Sequence, residues 1–100
     1  MATKIQVGAG QVVGSPGSSY GTAVSVTLGA SATALIPYGW WMVMTDANTS
    51  VEWSYNAFGT AQLYAGYTTT NVLFSDGFNF RIHASGSGGT ATRTQILQGA

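Results

Sequence analysis

The chain of 100 residues carries Lys4, Arg81 and Arg93 against Asp46, Glu52 and Asp76, so charged residues are 6% and the formal net charge is zero. That length makes a single domain, residues 1–100, with one small core. A charge content far below the roughly 25% of ordinary domains excludes nucleic acid as a partner, because nucleic-acid binders need clustered Lys and Arg. With no cysteine, there is no disulfide, thiolate metal site or thiol nucleophile.

Met1 to Val7 lacks the long apolar run of a signal peptide, so synthesis in the cytoplasm is expected. Short strands are expected at residues 4–7 and 11–13. Residues 8–21 ("GAGQVVGSPGSSYG") read as a Gly/Ser-rich surface loop, or as an arm that orders against a neighbour. Next comes period two. Val24, Val26 and Leu28 alternate with Ser25 and Thr27, and a short strand follows at residues 34–37.

The stretch "YGWWMVMTD", residues 38–46, is the most apolar part of the chain. As a strand it sends Trp40, Met42 and Met44 to one face and Trp41, Val43 and Thr45 to the other. Trp40, Met42 and Met44 are expected inside, because Trp41 shares its face with Thr45. The second face then needs a cover outside the domain. The apolar runs are far too short to span a membrane.

"DANTS", residues 46–50, is expected to turn this strand back onto residues 51–55, where Val51, Trp53 and Tyr55 alternate with Glu52 and Ser54. Core burial is expected for Trp53. Further strands are expected at residues 61–65 and 71–75. Asp76-Gly77 then has the spacing of a two-residue hairpin into Phe78, Phe80, Ile82 and Ala84, which alternate with Asn79, Arg81 and His83. Gly86 to Gly89 ("GSGG") is expected to make a looser hairpin into a last strand at residues 90–97. About eight short strands with frequent turns predict an all-β fold, a small sandwich or barrel, with a jelly roll among the candidate forms.

No catalytic, cofactor-binding or metal site stands out. Asp46 and Asp76 sit at turns and Glu52 on the polar face of its strand, which explains all three carboxylates structurally. The single His83 shares a face with Arg81 and Asn79, and no Ser stands in a G-x-S-x-G turn. A hydrolase reading therefore rests on His83 and abundant serine alone, and one histidine without cysteine or clustered acids is poor for zinc. Gly8-Ala9-Gly10-Gln11-Val12-Val13-Gly14 has the wrong spacing for a dinucleotide loop and no helix to follow it. The aromatics carry more information: Tyr38, Trp40, Trp41, Trp53, Tyr55, Phe58, Tyr64 and Tyr67 crowd the middle of the chain. Such rings anchor protein interfaces or stack on sugars.

Residues 38–97 resemble small virion structural proteins of tailed bacteriophages. The likeness is carried by a Gly-Trp strand ("PYGWWMVMTD"), a "TSVEWSYN" strand, and "NVLFSDGFNFRIHASGSGGTATRTQIL". It implies a β-rich decoration (cement) protein on the capsid exterior, which binds major capsid protein, bridges its subunits and assembles with itself, often as a trimer. Members of that class bring no catalytic residues. The expected interface residues are Trp40, Trp41 and Met42, for core and inter-subunit burial, and Gln11, Val13 and Tyr20 for partner contact. The alternative from a different class is a carbohydrate- or receptor-binding module that uses exposed aromatics.

Overall fold

The computed structural model describes residues 19–97, and these form an all-β sandwich. In chain order the strands are β1 (Ser19–Tyr20), β2 (Val24–Leu28), β3 (Thr33–Leu35), β4 (Gly39–Met44), β5 (Thr49–Trp53), β6 (Gln62–Ala65), β7 (Thr70–Ser75), β8 (Phe80–Ala84) and β9 (Gly89–Leu97). The strands expected at residues 4–7 and 11–13 lie outside the described residues.

Two antiparallel sheets result. Sheet A runs β2–β9–β4–β7, with β1 extending the same edge of β9 that β2 occupies; sheet B runs β3–β8–β5–β6. From β2 onward every connection except β5–β6 passes from one sheet to the other. That alternation, with this spatial order, is the jelly-roll arrangement of two four-stranded layers. Its long-range strand pairs abolish most sequence-local hairpins.

Three expected turns are corrected by this topology. Asp76-Gly77 does not close a hairpin, because β7 pairs β4 while β8 pairs β3 and β5. The turn chemistry itself is present: Asp76 Oδ1 accepts the N–H groups of Phe78 and Asn79, each at 2.8 Å, and Gly77 takes φ +89°. It serves a crossing between layers instead. Residues 45–48 and 85–88 likewise carry the chain from β4 to β5 and from β8 to β9 across the sandwich. Phe78, expected to begin a strand facing the core, stands in the crossing and is 71% exposed.

The core consists of Ile36, Trp41, Val43, Val51, Ala65, Leu73, Ile82 and Ala91, with Val26, Leu28 and Phe80 packed against it. Trp41 (6% exposed) and Val43 (0%) thus face inward, so the expectation that Trp40, Met42 and Met44 fill the core is reversed. The reasoning from Thr45 fails because that residue is itself buried. Its hydroxyl donates to Gly66 O at 2.8 Å and accepts the Thr69 N–H at 2.9 Å. A buried hydroxyl with its bonds made is compatible with the inner face. Trp41 is satisfied in the same way: its indole N–H donates to Pro37 O at 2.8 Å, and the Arg93 guanidinium lies 4.8 Å from its ring centre. Trp53, expected in the core, is half-buried beside Tyr55, with ring centres 5.7 Å apart.

Asp46 joins three segments at one end of the sandwich. Its Oδ1 accepts the Asn48 N–H and the Thr49 hydroxyl, each at 2.9 Å, and its Oδ2 accepts the Thr90 N–H at 2.8 Å. These donors, the Thr90 amide foremost and then that of Asn48, hold its carboxyl below the usual carboxylate range. Because the folded value is the lower one, the stabilisation is complete above the unfolded value and is lost as pH falls through the folded value. Asp46→Asn is therefore expected to lower the Tm at neutral pH and to flatten its fall on acidification. Thermal melts from neutral pH into the acid range read both effects; an unchanged acid limb would count against this role.

Candidate functional site

The outer faces of the two sheets differ in chemistry. Side chains alternate along a strand, so the inward Trp41 and Val43 send Trp40, Met42 and Met44 outward. Directly opposed residues share a face. Trp40 lies opposite Phe74, Met42 opposite both Val72 and Thr94, and Tyr20 opposite Ile96. Among the described residues, the outer face of sheet A contains no charged residue: β2 adds Ser25 and Thr27, β7 adds Thr70, and β9 adds Thr90 and Thr92. Arg93 lies on the inner side, opposite Val43.

The outer face of sheet B carries the charges. Glu52 lies opposite Arg81, and Arg81 Nε donates to Glu52 Oε1 at 2.7 Å. The same guanidinium stacks on Phe58, 4.1 Å from the ring centre. Ser50 and Thr33 flank His83 across the two strand pairs. Leu35, opposite Arg81, and Leu63, opposite Glu52, share this face and are exposed, so what sets it apart from sheet A's outer face is the ion pair.

A groove of about 260 Å³ opens where the outer face of sheet A meets one end of the sandwich, lined by Tyr38, Gly39, Trp40, Phe74 and Gln95, Ile96 and Leu97. Tyr38 and Trp40 both meet Phe74 edge-on, with ring centres 5.1 and 5.3 Å apart. Gly39 lets the backbone enter β4 here with φ +130°, a conformation that L side chains rarely adopt.

That end of the sandwich is aromatic throughout. Three connections meet there: Tyr38 stands between β3 and β4, Tyr55 between β5 and β6, and Phe78 between β7 and β8. They are 64%, 76% and 71% exposed. Backbone and hydroxyl bonds lace these connections together. Ser75 Oγ donates to Ile36 O at 2.6 Å, and the Ser54 N–H donates to Asn79 O at 2.8 Å. The Ser54 hydroxyl also accepts the Phe58 N–H at 3.0 Å, shaping the loop that presents Tyr55. The opposite end consists chiefly of Gly, Ser, Thr and Ala, with Asp46 as its organiser and Tyr67 as its one exposed ring among the described residues.

Of the residues expected at an interface, Trp40, Met42 and Tyr20 are on the outer face of sheet A. Trp41, also expected there, is instead in the core. Gln11 and Val13 lie outside the described residues. The carboxylates come nowhere together. Asp46 and Asp76 are engaged in turns and Glu52 in its ion pair. Among the described residues, no group of three His, Asp or Glu side chains could hold a metal ion. Sequence reading missed Val72, Phe74, Ile96 and Phe78. Their signal was faint, because a strand with apolar residues on both faces, such as β7, does not reveal which face is inside.

No family model matches the chain, and neither a curated protein nor a solved structure matches it.

Proposed function

We propose that this chain is a non-enzymatic structural protein that works by burying the outer face of sheet A, and the aromatic end beside it, against other protein subunits. One observation carries the reading: sheet A's outer face is uncharged and built on Trp40, Met42, Val72 and Phe74, while sheet B's outer face carries Glu52 and Arg81. Contiguous apolar surface of that kind marks interaction sites, and aromatic anchors dominate their energetics. The sequence resemblance supplies the setting: a decoration protein, made in the host cytoplasm, that binds major capsid protein on the phage head and bridges its subunits. Such binding is multivalent, so weak footprints held together add to a strong attachment.

Pelleting with phage heads tests this directly. Trp40→Lys is expected to weaken binding by about 30-fold or more, the loss typical of a hot-spot anchor. Leu63→Lys, on the exposed edge strand of sheet B, is expected to leave binding unchanged. Wild-type protein that does not pellet with heads would overturn the capsid setting. The reverse pattern between the two variants would move the contact to sheet B.

The groove favours a second reading. Its aromatic walls and the Gln95 amide suit a sugar ring, which stacks on one and hydrogen-bonds the other. Tryptophan fluorescence that responds to glycans in a wild-type titration, and not in Trp40→Lys, would support it; a silent response across a broad glycan panel would dismiss it.

A further inference from the structure

Among the described residues, strand β7 ends sheet A and is bonded on one side only, to β4. The Thr45 N–H donates to Thr69 O at 2.8 Å, which makes Thr45–Thr69 a hydrogen-bonded pair just beyond the end of the β4–β7 ladder. Pairs alternate along an antiparallel ladder, so Asn71, Leu73 and Ser75 spend their backbone groups on β4. The N–H and C=O groups of Thr70, Val72 and Phe74 therefore point to the open edge, and their side chains lie on the uncharged outer face.

Natural edges are blunted by Lys, Pro, bulges or brevity. β7 has none of these: it reads "TNVLFS", and its register with β4 runs unbroken from Gly39–Ser75 to Met44–Thr70. The other edges are protected or polar. β3 is three residues long, β6 carries a register shift between Val51 and Glu52, and β2 shows Ser25 and Thr27 on the outer face.

The geometry points to β7 as a strand-pairing site for a second copy of this chain, antiparallel about a two-fold axis through Val72. In that register Val72 meets the partner's Val72, and Thr70 meets the partner's Phe74. All three residues then exchange their free backbone groups with the partner. The arrangement is self-complementary, as an isologous two-fold contact must be. It fuses two five-stranded sheets into one and joins their outer faces along a Met42–Val72 row that continues into the partner. No charge on β7 or on that face opposes the approach. The inference rests on the reading that the outer face of sheet A is buried between subunits, and it names the partner and register on one of its sides.

Because the chain has no cysteine, Val72→Cys is an unambiguous probe. Opposed residues of a hydrogen-bonded pair have Cα atoms about 5.5 Å apart, within disulfide reach. Oxidation of Val72→Cys is expected to form a covalent dimer at least ~10-fold faster than Leu63→Cys, because pairing raises the effective thiol concentration. Sedimentation equilibrium at micromolar concentration is expected to give twice the chain mass for wild type. It should give the chain mass for Val72→Lys, which sets two ammonium groups opposite each other. A wild-type monomer or trimer, a dimer that Val72→Lys leaves intact, or equal cross-linking of the two cysteine variants would overturn the pairing. A dimer with these properties that does not pellet with phage heads would uphold the pairing and overturn only the capsid setting.

Discussion

Trp41→Ala is expected to cost about 3–5 kcal/mol of folding stability, while Trp40→Ala, one residue away, is expected to cost about 1 kcal/mol. The difference is positional. Trp41 is buried among Val43, Leu73 and Ile82, with its indole N–H bonded to Pro37 O and its ring under Arg93. Truncation opens a cavity in a core that holds few large side chains, and it leaves the Pro37 carbonyl without its donor. Trp40 sits half-buried on the outer face, where it meets Phe74 edge-on and its removal opens no core cavity. In a domain this small, a loss of 3–5 kcal/mol lowers the Tm by well over ~10 °C. Urea unfolding of both variants checks the prediction. Equal losses would mean that the face assignment of β4 is wrong. Partner binding should show the opposite order, with the folded Trp40 variant the one that fails to bind.

Gly88→Ala is the second large effect, at about 2–5 kcal/mol. Gly88 has φ +72°, where a Cβ costs about 1–2 kcal/mol. That Cβ would also stand 2.8 Å from Leu28 O, and overpacking of this kind adds about 1–3 kcal/mol. The obstructing atom is backbone at the end of β2, whose Leu28 is paired with Gly89, so it cannot swing aside as a flexible side chain would. Gly86→Ala, two residues earlier in the same crossing, has nothing within 4 Å of its new Cβ and is expected to change stability by less than about 0.5 kcal/mol. Thermal melts of the two variants, side by side, separate a backbone requirement from general loop tolerance. A Gly88 variant as stable as wild type would contradict the close approach of the β8–β9 crossing to β2.

The aromatic end and the uncharged face were only half legible in the residues. Tyr38, Trp40 and Tyr55 announced themselves as large rings in a small chain, but the face of Trp40 and Met42 was expected inward and lies outward. Phe74 and Phe78 were not singled out, because both were read as members of one hairpin around Asp76-Gly77. The local chemistry of that turn is real, down to the Asp76 carboxylate on the Phe78 and Asn79 amides. Which strands it joins is a separate matter. An Asx turn orients a few residues, and whether the chain folds back on the same sheet or crosses to the other depends on which apolar faces meet.

The local periodicities of the chain settled that it is all-β, roughly where eight of its strands lie, and that Glu52, Arg81 and His83 face away from the core. Alternation and turn chemistry are short-range, so they can be read residue by residue. They could not settle the jelly-roll order, nor the choice between Trp40 and Trp41. Both faces of β4 are apolar enough to be buried, and a threonine on one of them looked like a mark of solvent. Long-range packing settled it: Leu73 from β7 and Ile82 from β8 gather on the Trp41 side, and Gly66 and Thr69 satisfy Thr45 there. The surplus apolar surface then had to lie outward, on sheet A.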